Sequence, residues 1–490
     1  MIVKRFYETQ LAQASYLIGC AASGTAVVID ANRNVDQYLR AAAAEGLAIT
    51  HVTETHIHAD FVSGSRELAV RTGATLLLSE EGGPDWRYAF AAAARAVLLK
   101  DQDSFRIGNV RVDVVHTPGH TPEHLMFVIT DTAVTSEPPA AVTGDFVFVG
   151  DVGRPDLLER AAGVTGSMER AARMLFGSLE RLTRFPDHLQ IWPGHGAGSA
   201  CGKSLGALAQ STLGYERRVN WAFQISDEAE FVRQVLEGQP DPPKYFAEMK
   251  RVNKEGPALR GDVTPPRELT AAALAQRLGA GAVVIDTRPA DEFAAAPLPG
   301  TLNIPLNSTF TTWAGWLVPY SGDLILVANA DVATVDAAVR HLALIGLDRV
   351  LGYVSPGVLA AWTGLGRPLA SIPQVDAAGV EWALRSGDAL LLDVRTDAEW
   401  NAGHIAGARH VPLGRLAEHL RLLPPDQPIV VQCQSGGRSA IAASLLRSCG
   451  FGDVTNFSGG LDEWLASATP SSPASAASRL RRRIVPACHE

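Results

Sequence analysis

The stretch ETHIHADFVSG, residues 54–64, carries two histidines and an aspartate at alternate positions and then continues with Phe61. It follows a short β-rich run, and alternation along an extended segment puts His56, His58 and Asp60 on one face. Three ligand-type side chains that share a face can converge on one cleft. Clefts that hold two metals usually show a further histidine where this chain has Phe61. The stretch therefore predicts a metal site that lacks one expected donor.

Three more segments of the first half place ligand-type residues at the ends of predicted strands. They are HTPGHT with His120, TGDFVFVGDVGRPD with Asp145, and WPGHG with His195. Glycine and proline flank His120 and His195, which predicts tight turns, and loop residues of this kind commonly carry function. The ordered co-occurrence of the four segments favours a functional centre. The remaining histidines of this region are predicted to be hydrogen-bonded loop residues: His51, His116, His124 and His188.

Composition bounds the class of protein. The chain has 490 residues, of which 47% are hydrophobic and 19% charged, so about three globular domains are expected. A formal net charge of −9 with no basic stripe argues against nucleic-acid binding. No run of 18 uninterrupted apolar residues occurs, so no membrane partner is expected. Five scattered cysteines and the absence of a signal-peptide pattern favour a reduced, cytoplasmic protein.

The order of segments predicts an α/β protein of several domains. Residues 1–240 alternate β-rich runs with helical stretches and form a layered α/β domain. Residues 241–266 are rich in proline, glycine and charge and are predicted to be a linker or wrapping arm. An internal repeat follows, in which VVIDTRPADEF (283–293) matches LLLDVRTDAEW (390–400). The repeat predicts two small α/β domains, 267–370 and 371–467, before a disordered tail at 468–490.

The second copy of the repeat contains a second centre, VVQCQSGGRSAIAASLL at 430–446. It is typical of a buried strand, a six-residue loop and a helix, with Cys433 at the start of the loop and Arg438 at its end. The backbone N–H groups of such a loop point inward as an anion nest, which can hold a terminal persulfide sulfur as an anion. The residues of the predicted nest are Gln434, Ser435, Gly436, Gly437 and Ser439.

The first centre resembles the metallo-β-lactamase-fold superfamily in THIHAD, TPGHT, TGD and PGHG, and within it the persulfide dioxygenases. The resemblance implies an αββα fold and one Fe(II) per chain. It implies His56, His120 and Asp145 as iron ligands, with His58, Asp60 and His195 as supporting groups. Two imidazoles and one carboxylate leave coordination positions open for O₂. Arg154 and Lys203 are candidates for binding a substrate carboxylate, although Arg154 is equally suited to a structural bridge with Asp156.

The second centre resembles the rhodanese family in CQSGGRS, in LLDVRTDAEWNAGHIAGARHVPL before it and in FSGGLDEW after it. The resemblance implies that Cys433 carries sulfur between a donor and an acceptor and that Arg438 contacts a sulfur-oxygen anion. The first copy of the repeat has Asn329 at the position of Cys433 and lacks both glycines and the arginine. It is therefore predicted to be an inactive rhodanese-like domain.

Together the two resemblances imply a persulfide dioxygenase–rhodanese fusion. The expected reaction oxidises a low-molecular-weight thiol persulfide with O₂ to sulfite and moves sulfur between persulfide, sulfite and thiosulfate. The resemblance also implies a homo-oligomer, a dimer or a tetramer. Two other classes of function are compatible with the sequence. One is a zinc thioester hydrolase of the glyoxalase II type with an unrelated rhodanese, and the other is a non-enzymatic sulfur-binding or sensing protein.

Overall fold

The computed structural model describes residues 1–160, 166–261, 265–329, 331–468 and 484–485. The chain forms two compact units, residues 1–263 with 340–347, and residues 264–339 with 348–490. Within the described residues, no helix combines the length and the apolar character needed to cross a membrane.

Two six-stranded sheets form the framework of the first unit. The first sheet consists of β1 (Ile2–Glu8), β2 (Gln13–Cys20), β3 (Thr25–Ile29), β4 (Ala48–Thr53), β5 (Thr75–Ser79) and β6 (Val97–Leu99) in spatial order. The second consists of β7 (Ser104–Ile107), β8 (Val110–His116), β9 (Leu125–Asp131), β10 (Ala140–Gly144), β11 (Gln190–Pro193) and β12 (Ser211–Thr212). The strands β1 to β3 and β7 to β10 pair antiparallel, whereas β3 to β6 pair parallel, as do β10 and β11.

The two sheets pack face to face, and helices cover their outer faces. Tyr16 and Ile29 of the first sheet share one buried cluster with Val112 and Phe127 of the second. The apolar faces of α1 (Asp36–Ala44) and α2 (Ser65–Thr72) pack on the first sheet, and those of α4 (Met168–Arg181) and α7 (Glu228–Leu236) on the second. This arrangement is the predicted αββα fold. The helices are α1 (Asp36–Ala44), α2 (Ser65–Thr72), α3 (Leu157–Arg160), α4 (Met168–Arg181), α5 (Leu213–Val219), α6 (Trp221–Gln224), α7 (Glu228–Leu236) and α8 (Tyr245–Glu255).

Helix α8 lies in the segment expected to be a linker or wrapping arm, 241–266. Its Tyr245, Phe246, Met249 and Asn253 are buried, because their spacing puts them on one face of the helix. The segment therefore contributes a packed helix to the first unit. The prolines and glycines that flank this helix are the reason that the sequence predicted a linker.

The second unit contains two parallel five-stranded sheets of the same strand order. The strands of the first are β13 (Arg267–Glu268), β14 (Val283–Asp286), β15 (Leu302–Asn303), β16 (Leu324–Val327) and β17 (Val350–Val354). Those of the second are β18 (Gln374–Val375), β19 (Leu390–Asp393), β21 (Arg409–His410), β22 (Ile429–Gln432) and β23 (Val454–Phe457). The spatial order is β13-β17-β16-β14-β15 in the first sheet and β18-β23-β22-β19-β21 in the second.

A buried ion pair recurs at the same place in both sheets. Arg288 contacts Asp286 at 2.6 Å, and Arg395 contacts Asp393 at 2.8 Å. The shared topology and the shared ion pair agree with the internal repeat. The helices around these sheets are α9 (Ala271–Gly279), α10 (Ala290–Ala295), α11 (Phe310–Leu317), α12 (Val332–Leu344), α13 (Val358–Gly364), α14 (Ala377–Ser386), α15 (Asp397–Ala402), α16 (Leu416–His419), α17 (Gly437–Ser448) and α18 (Gly460–Ala468).

Most of the tail predicted to be disordered, 468–490, lies outside the described residues. Within it, β24 (Ile484–Val485) pairs antiparallel with β20 (His404–Ile405). The exact domain boundaries given above stay predictions.

Candidate functional sites

The structure brings His56, His120 and Asp145 together in a buried cluster. One donor atom from each residue lies within 4.8 Å of the others, and His120 Nε2 is 3.5 Å from Asp145 Oδ2. Each residue follows the end of a strand, namely β4, β8 or β10. Among the described residues, neither carboxylate oxygen of Asp145 accepts a hydrogen bond. A buried carboxylate without a partner is costly unless a cation satisfies it, so this donor set fits a metal ion.

Hydrogen bonds fix both imidazoles for metal binding. The Thr55 hydroxyl donates to Asp30 at 3.0 Å, so its oxygen accepts a hydrogen bond from His56 Nδ1–H, 2.9 Å away. His120 Nδ1 donates to the carbonyl of Arg154 at 3.0 Å. Both rings therefore keep Nε2 free as a donor to a metal. Burial lowers the pKa of His56 well below its usual value and that of His120 to about 3, which keeps both rings neutral.

The predicted supporting residues surround this cluster. Burial acts to lower the pKa of His58, but the Asp30 carboxylate, 3.1 Å from His58 Nε2, raises it to about 9. His195 Nδ1 donates to the carbonyl of Ala12 at 3.1 Å, which turns Nε2 toward the site. That Nε2 lies 3.3 Å from Asp60 Oδ2 and 3.5 Å from Asp145 Oδ2. Two facing acceptors at this distance require a shared proton or cation between them.

Asp60 and His195 form a second group of donors with Cys201, again within 4.8 Å. The structure puts the buried Cys201 thiol beside these two side chains. Burial raises the pKa of Cys201 well above its usual value, which keeps the thiol protonated. Phe61 is fully buried, and its ring centroid lies 4.3 Å from that of His58. The second group thus offers one imidazole, one carboxylate and one neutral thiol.

Three residues that the sequence did not assign to the site hold its loops in place. Asn253 of α8 donates to the carbonyls of His58 and Phe61, both at 2.7 Å, and accepts from the Ser63 N–H at 2.9 Å. His124 accepts the backbone N–H of Asp145 at 3.1 Å, and Asp30 orients His58 as described above. A buried asparagine on the apolar face of α8 was the available signal for Asn253.

Arg154 and Lys203 have their charged groups occupied within the protein. Arg154 is fully buried, forms two 2.7 Å bonds to Asp156 and donates to the carbonyls of Ala200 and Pro240. Lys203 Nζ donates to the carbonyls of Gln234 and Glu237, at 2.5 and 3.2 Å. A substrate carboxylate would have to displace these partners, so the structure favours the structural bridge for Arg154 and a similar role for Lys203.

The Cys433 loop has the geometry of an anion nest. Cys433 Sγ accepts the N–H of Gly436 at 3.2 Å and lies 3.5 Å from the Ser439 hydroxyl, whose nearer acceptor is the Gly436 carbonyl at 3.0 Å. Gly436 has φ +88°, and an added Cβ would lie 1.9 Å from the carbonyl oxygen of Ser458. Only glycine fits this position. Next to the loop is a cavity of ≈ 630 Å³ that Ser435, Gly436 and Gly437 help to line.

Two side chains fix the rim of this nest. The Gln434 amide donates to Asp462 at 2.5 Å. Arg438 donates from its two terminal nitrogens to the two oxygens of Glu399, at 2.7 and 2.6 Å.

The first sheet of the repeat does not reproduce the nest. Cys433 directly follows β22, whereas Ala328 directly follows β16 and Asn329 is one residue further on. The strand pairing agrees, because Gln432 pairs with Asp393 and its counterpart Val327 pairs with Asp286. The predicted placement of Asn329 at the position of Cys433 is therefore wrong by one residue. Residues 328–335, ANADVATV, contain no cysteine, glycine or arginine, so this copy of the repeat lacks the nucleophile and the residues of the nest.

Comparisons with known proteins agree with this division of the chain. Residues 9–195 match the metallo-beta-lactamase superfamily, and residues 377–467 match the rhodanese-like domain. A crystal structure of a metallo-beta-lactamase from Staphylococcus aureus subsp. aureus COL is 40% identical and has a TM-score of 0.64. The alignment covers 73% of this chain and 99% of that one.

Curated relatives match the two parts separately. The mitochondrial persulfide dioxygenase of Bos taurus is 27% identical over 48% of this chain and 80% of its own length. A hydroxyacylglutathione hydrolase of Rhodospirillum rubrum is 29% identical over 37% of this chain and 60% of its own length. A thiosulfate sulfurtransferase of Pseudomonas fluorescens is 40% identical over 82 residues, which are 17% of this chain and 75% of the relative.

The αββα fold, the buried histidine–aspartate cluster and these matches lead to one assignment. The chain belongs to the metallo-beta-lactamase superfamily, as an enzyme with a metal-binding N-terminal domain and a C-terminal rhodanese-like domain.

Proposed function

We propose that the N-terminal domain oxidises low-molecular-weight thiol persulfides with O₂ to sulfite at a single Fe(II). The balanced reaction is RSSH + O₂ + H₂O → RSH + SO₃²⁻ + 2 H⁺. The observation that carries this proposal is the buried donor set of His56, His120 and Asp145, in which neither oxygen of Asp145 accepts a hydrogen bond from the described residues. Iron, when bound there, supplies the redox chemistry and the open positions for O₂ and the persulfide sulfur. The match to a persulfide dioxygenase supports the same choice.

The residues of the chain have separate roles in this reaction. His56, His120 and Asp145 hold the metal. Thr55 and the Arg154 carbonyl keep the two imidazoles in the tautomer that exposes Nε2. Phe61 fills the space beside His58 where a further histidine would otherwise extend the donor set.

We propose that the C-terminal domain transfers sulfur through a persulfide on Cys433. In the first half-reaction, RSS⁻ and the Cys433 thiolate give RS⁻ and a Cys433 persulfide. In the second, sulfite takes the outer sulfur of that persulfide as thiosulfate, S₂O₃²⁻, and the thiolate returns. The N–H of Gly436, which is bonded to Sγ, is placed to stabilise the anionic sulfur, and the Ser439 hydroxyl lies within 3.5 Å of it. Joined, the two domains would convert persulfide and O₂ to thiosulfate.

One alternative has a specific observation in its favour. Hydroxyacylglutathione hydrolases match the N-terminal domain at similar identity, and Asp60, His195 and Cys201 form a second donor group. A two-zinc thioester hydrolase would use both groups to generate a bound hydroxide.

Oxygen uptake tests the proposal directly. Iron-loaded protein is mixed with glutathione persulfide in an oxygen-electrode cell, and Asp145→Ala is measured beside it. The proposal expects uptake with sulfite formation in the parent and loss of both in the variant. Absence of uptake in the parent, together with hydrolysis of a hydroxyacylglutathione thioester, would favour the hydrolase.

A further inference from the structure

The guanidinium of Arg438 is held by a carboxylate from another element of the same domain. Arg438 closes the Cys433 loop at the start of α17, and Glu399 lies on α15. The two terminal nitrogens of Arg438 meet the two oxygens of Glu399 at 2.7 and 2.6 Å. Such a bidentate pair is the strongest geometry available to these two side chains. The positive charge next to the sulfur loop is therefore already matched.

Glu399 is itself fixed in this position. One of its oxygens accepts the backbone N–H of Thr396 at 2.9 Å and the Thr396 hydroxyl at 2.7 Å, as part of a capping box. Burial acts to raise the pKa of Glu399, but the bonds from Arg438 and Thr396 outweigh it and bring the pKa to about 2. Glu399 is thus an anion throughout the physiological range.

The other charges at the loop add no free cation within the described residues. Arg395 reaches the Gln434 side chain at 3.5 Å, but its charge is matched by the buried carboxylate of Asp393. Asp462 accepts from the Gln434 amide on the opposite side. The formal charges of these two arginines and three carboxylates sum to −1, so neither arginine offers an unmatched positive charge to a bound anion. A divalent anion is disfavoured at such a site relative to a substrate of lower charge.

We propose that Glu399 is a specificity-determining residue, which neutralises Arg438 and so weakens the binding of divalent thiosulfate as a sulfur donor relative to thiol persulfides. The inference rests on the proposed sulfur transfer at Cys433. With thiosulfate as donor, the Cys433 thiolate takes the outer sulfur, the S–S bond of thiosulfate breaks, and sulfite leaves with the electron pair. With a persulfide as donor, the same bond formation releases a thiolate, and the group that enters the loop, RSS⁻, carries a single negative charge.

Full-length protein tests the inference with two sulfur donors and one acceptor. KM and kcat are measured with cyanide as acceptor and either thiosulfate or glutathione persulfide as donor. Glu399→Gln removes the charge and keeps the capping-box geometry, since glutamine also serves at that position. Glu399→Asp keeps the charge and moves it. Asp397→Asn is the matched control, because Asp397 lies on the same helix and pairs with Arg415 instead.

The expected result is a KM for thiosulfate that falls roughly tenfold in Glu399→Gln, the scale of a partly screened charge interaction. In Glu399→Gln the KM for glutathione persulfide and the kcat values with both donors stay within about twofold of those of the parent. In Asp397→Asn all KM and kcat values stay within about twofold of those of the parent. The thiosulfate KM of Glu399→Gln should also rise with ionic strength more steeply than that of the parent. In Glu399→Asp the thiosulfate KM stays as high as in the parent.

Two results would overturn the inference. One is a thiosulfate KM in Glu399→Gln that equals or exceeds the parent value. The other is a fall of equal size in Glu399→Asp, which would assign the effect to side-chain position and not to charge. In both cases sulfur transfer by the parent, and its loss in Cys433→Ser, would leave the proposed function intact. If the parent transfers sulfur from neither donor, the proposed function itself fails.

Discussion

Asn253 connects helix α8 to the metal-binding loop, and its removal should weaken metal binding. The side chain makes three hydrogen bonds to the loop, two to carbonyls at 2.7 Å and one from the Ser63 N–H at 2.9 Å. Each is worth about 1 kcal/mol net, and Asn253→Ala leaves all three backbone groups without their partner. The ordered conformation of the loop should therefore be destabilised by roughly 3 kcal/mol of free energy. If metal binding must supply that ordering energy, the apparent affinity falls about a hundredfold.

Chelator competition measures this effect. Apoprotein is titrated anaerobically with Fe(II), and separately with Zn(II), against a chromophoric chelator of known affinity. Asn220→Ala is the matched control, because Asn220 is also a buried asparagine with three hydrogen bonds, to Asp151, Glu216 and Ala222. Circular dichroism verifies that both variants fold. An affinity of Asn253→Ala within threefold of the parent would refute the role of α8 in ordering the loop.

Three further substitutions test separate parts of the account. Gly436→Ala should abolish sulfur transfer while O₂ uptake persists, because the added Cβ would collide with the backbone carbonyl of Ser458. Its control is Gly437→Ala, which should retain both activities in the same assays because a Cβ at that position meets no other atom of the described residues. Cys201→Ser should leave the metal content at one per chain by elemental analysis, and loss of the metal would contradict the three-donor assignment. Phe61→His should raise the metal content above one per chain, and an unchanged content would remove support for Phe61 as a filler of the second position.

The sequence identified the main donors because strand ends carry them in a fixed order. The predicted αββα fold brings the ends of β4, β8, β10 and β11 into one cleft, and the structure places His56, His120, Asp145 and His195 there. Likewise, the strand–loop–helix pattern around Cys433 predicted the nest, since the glycines that such a loop requires are visible in the sequence.

Contacts between segments far apart in the chain were not predictable in the same way. Asn253 is 192 residues from Phe61, and the prolines around α8 made its segment resemble a linker. The sequence suited Arg154 equally to binding a substrate and to a structural bridge with Asp156. The structure favours the bridge, because the guanidinium donates to Asp156 and to two backbone carbonyls. Similarly, the sequence assigned Arg438 to a substrate anion, whereas the structure shows that Glu399 already occupies its guanidinium.

The central claim is that His56, His120 and Asp145 bind a single redox-active iron. One combined measurement tests this claim most directly. Metal content and O₂ uptake with glutathione persulfide are determined on the same full-length preparation. We expect one iron per chain and one O₂ consumed per persulfide oxidised. Two zinc ions per chain, thioester hydrolysis and no O₂ uptake would contradict it.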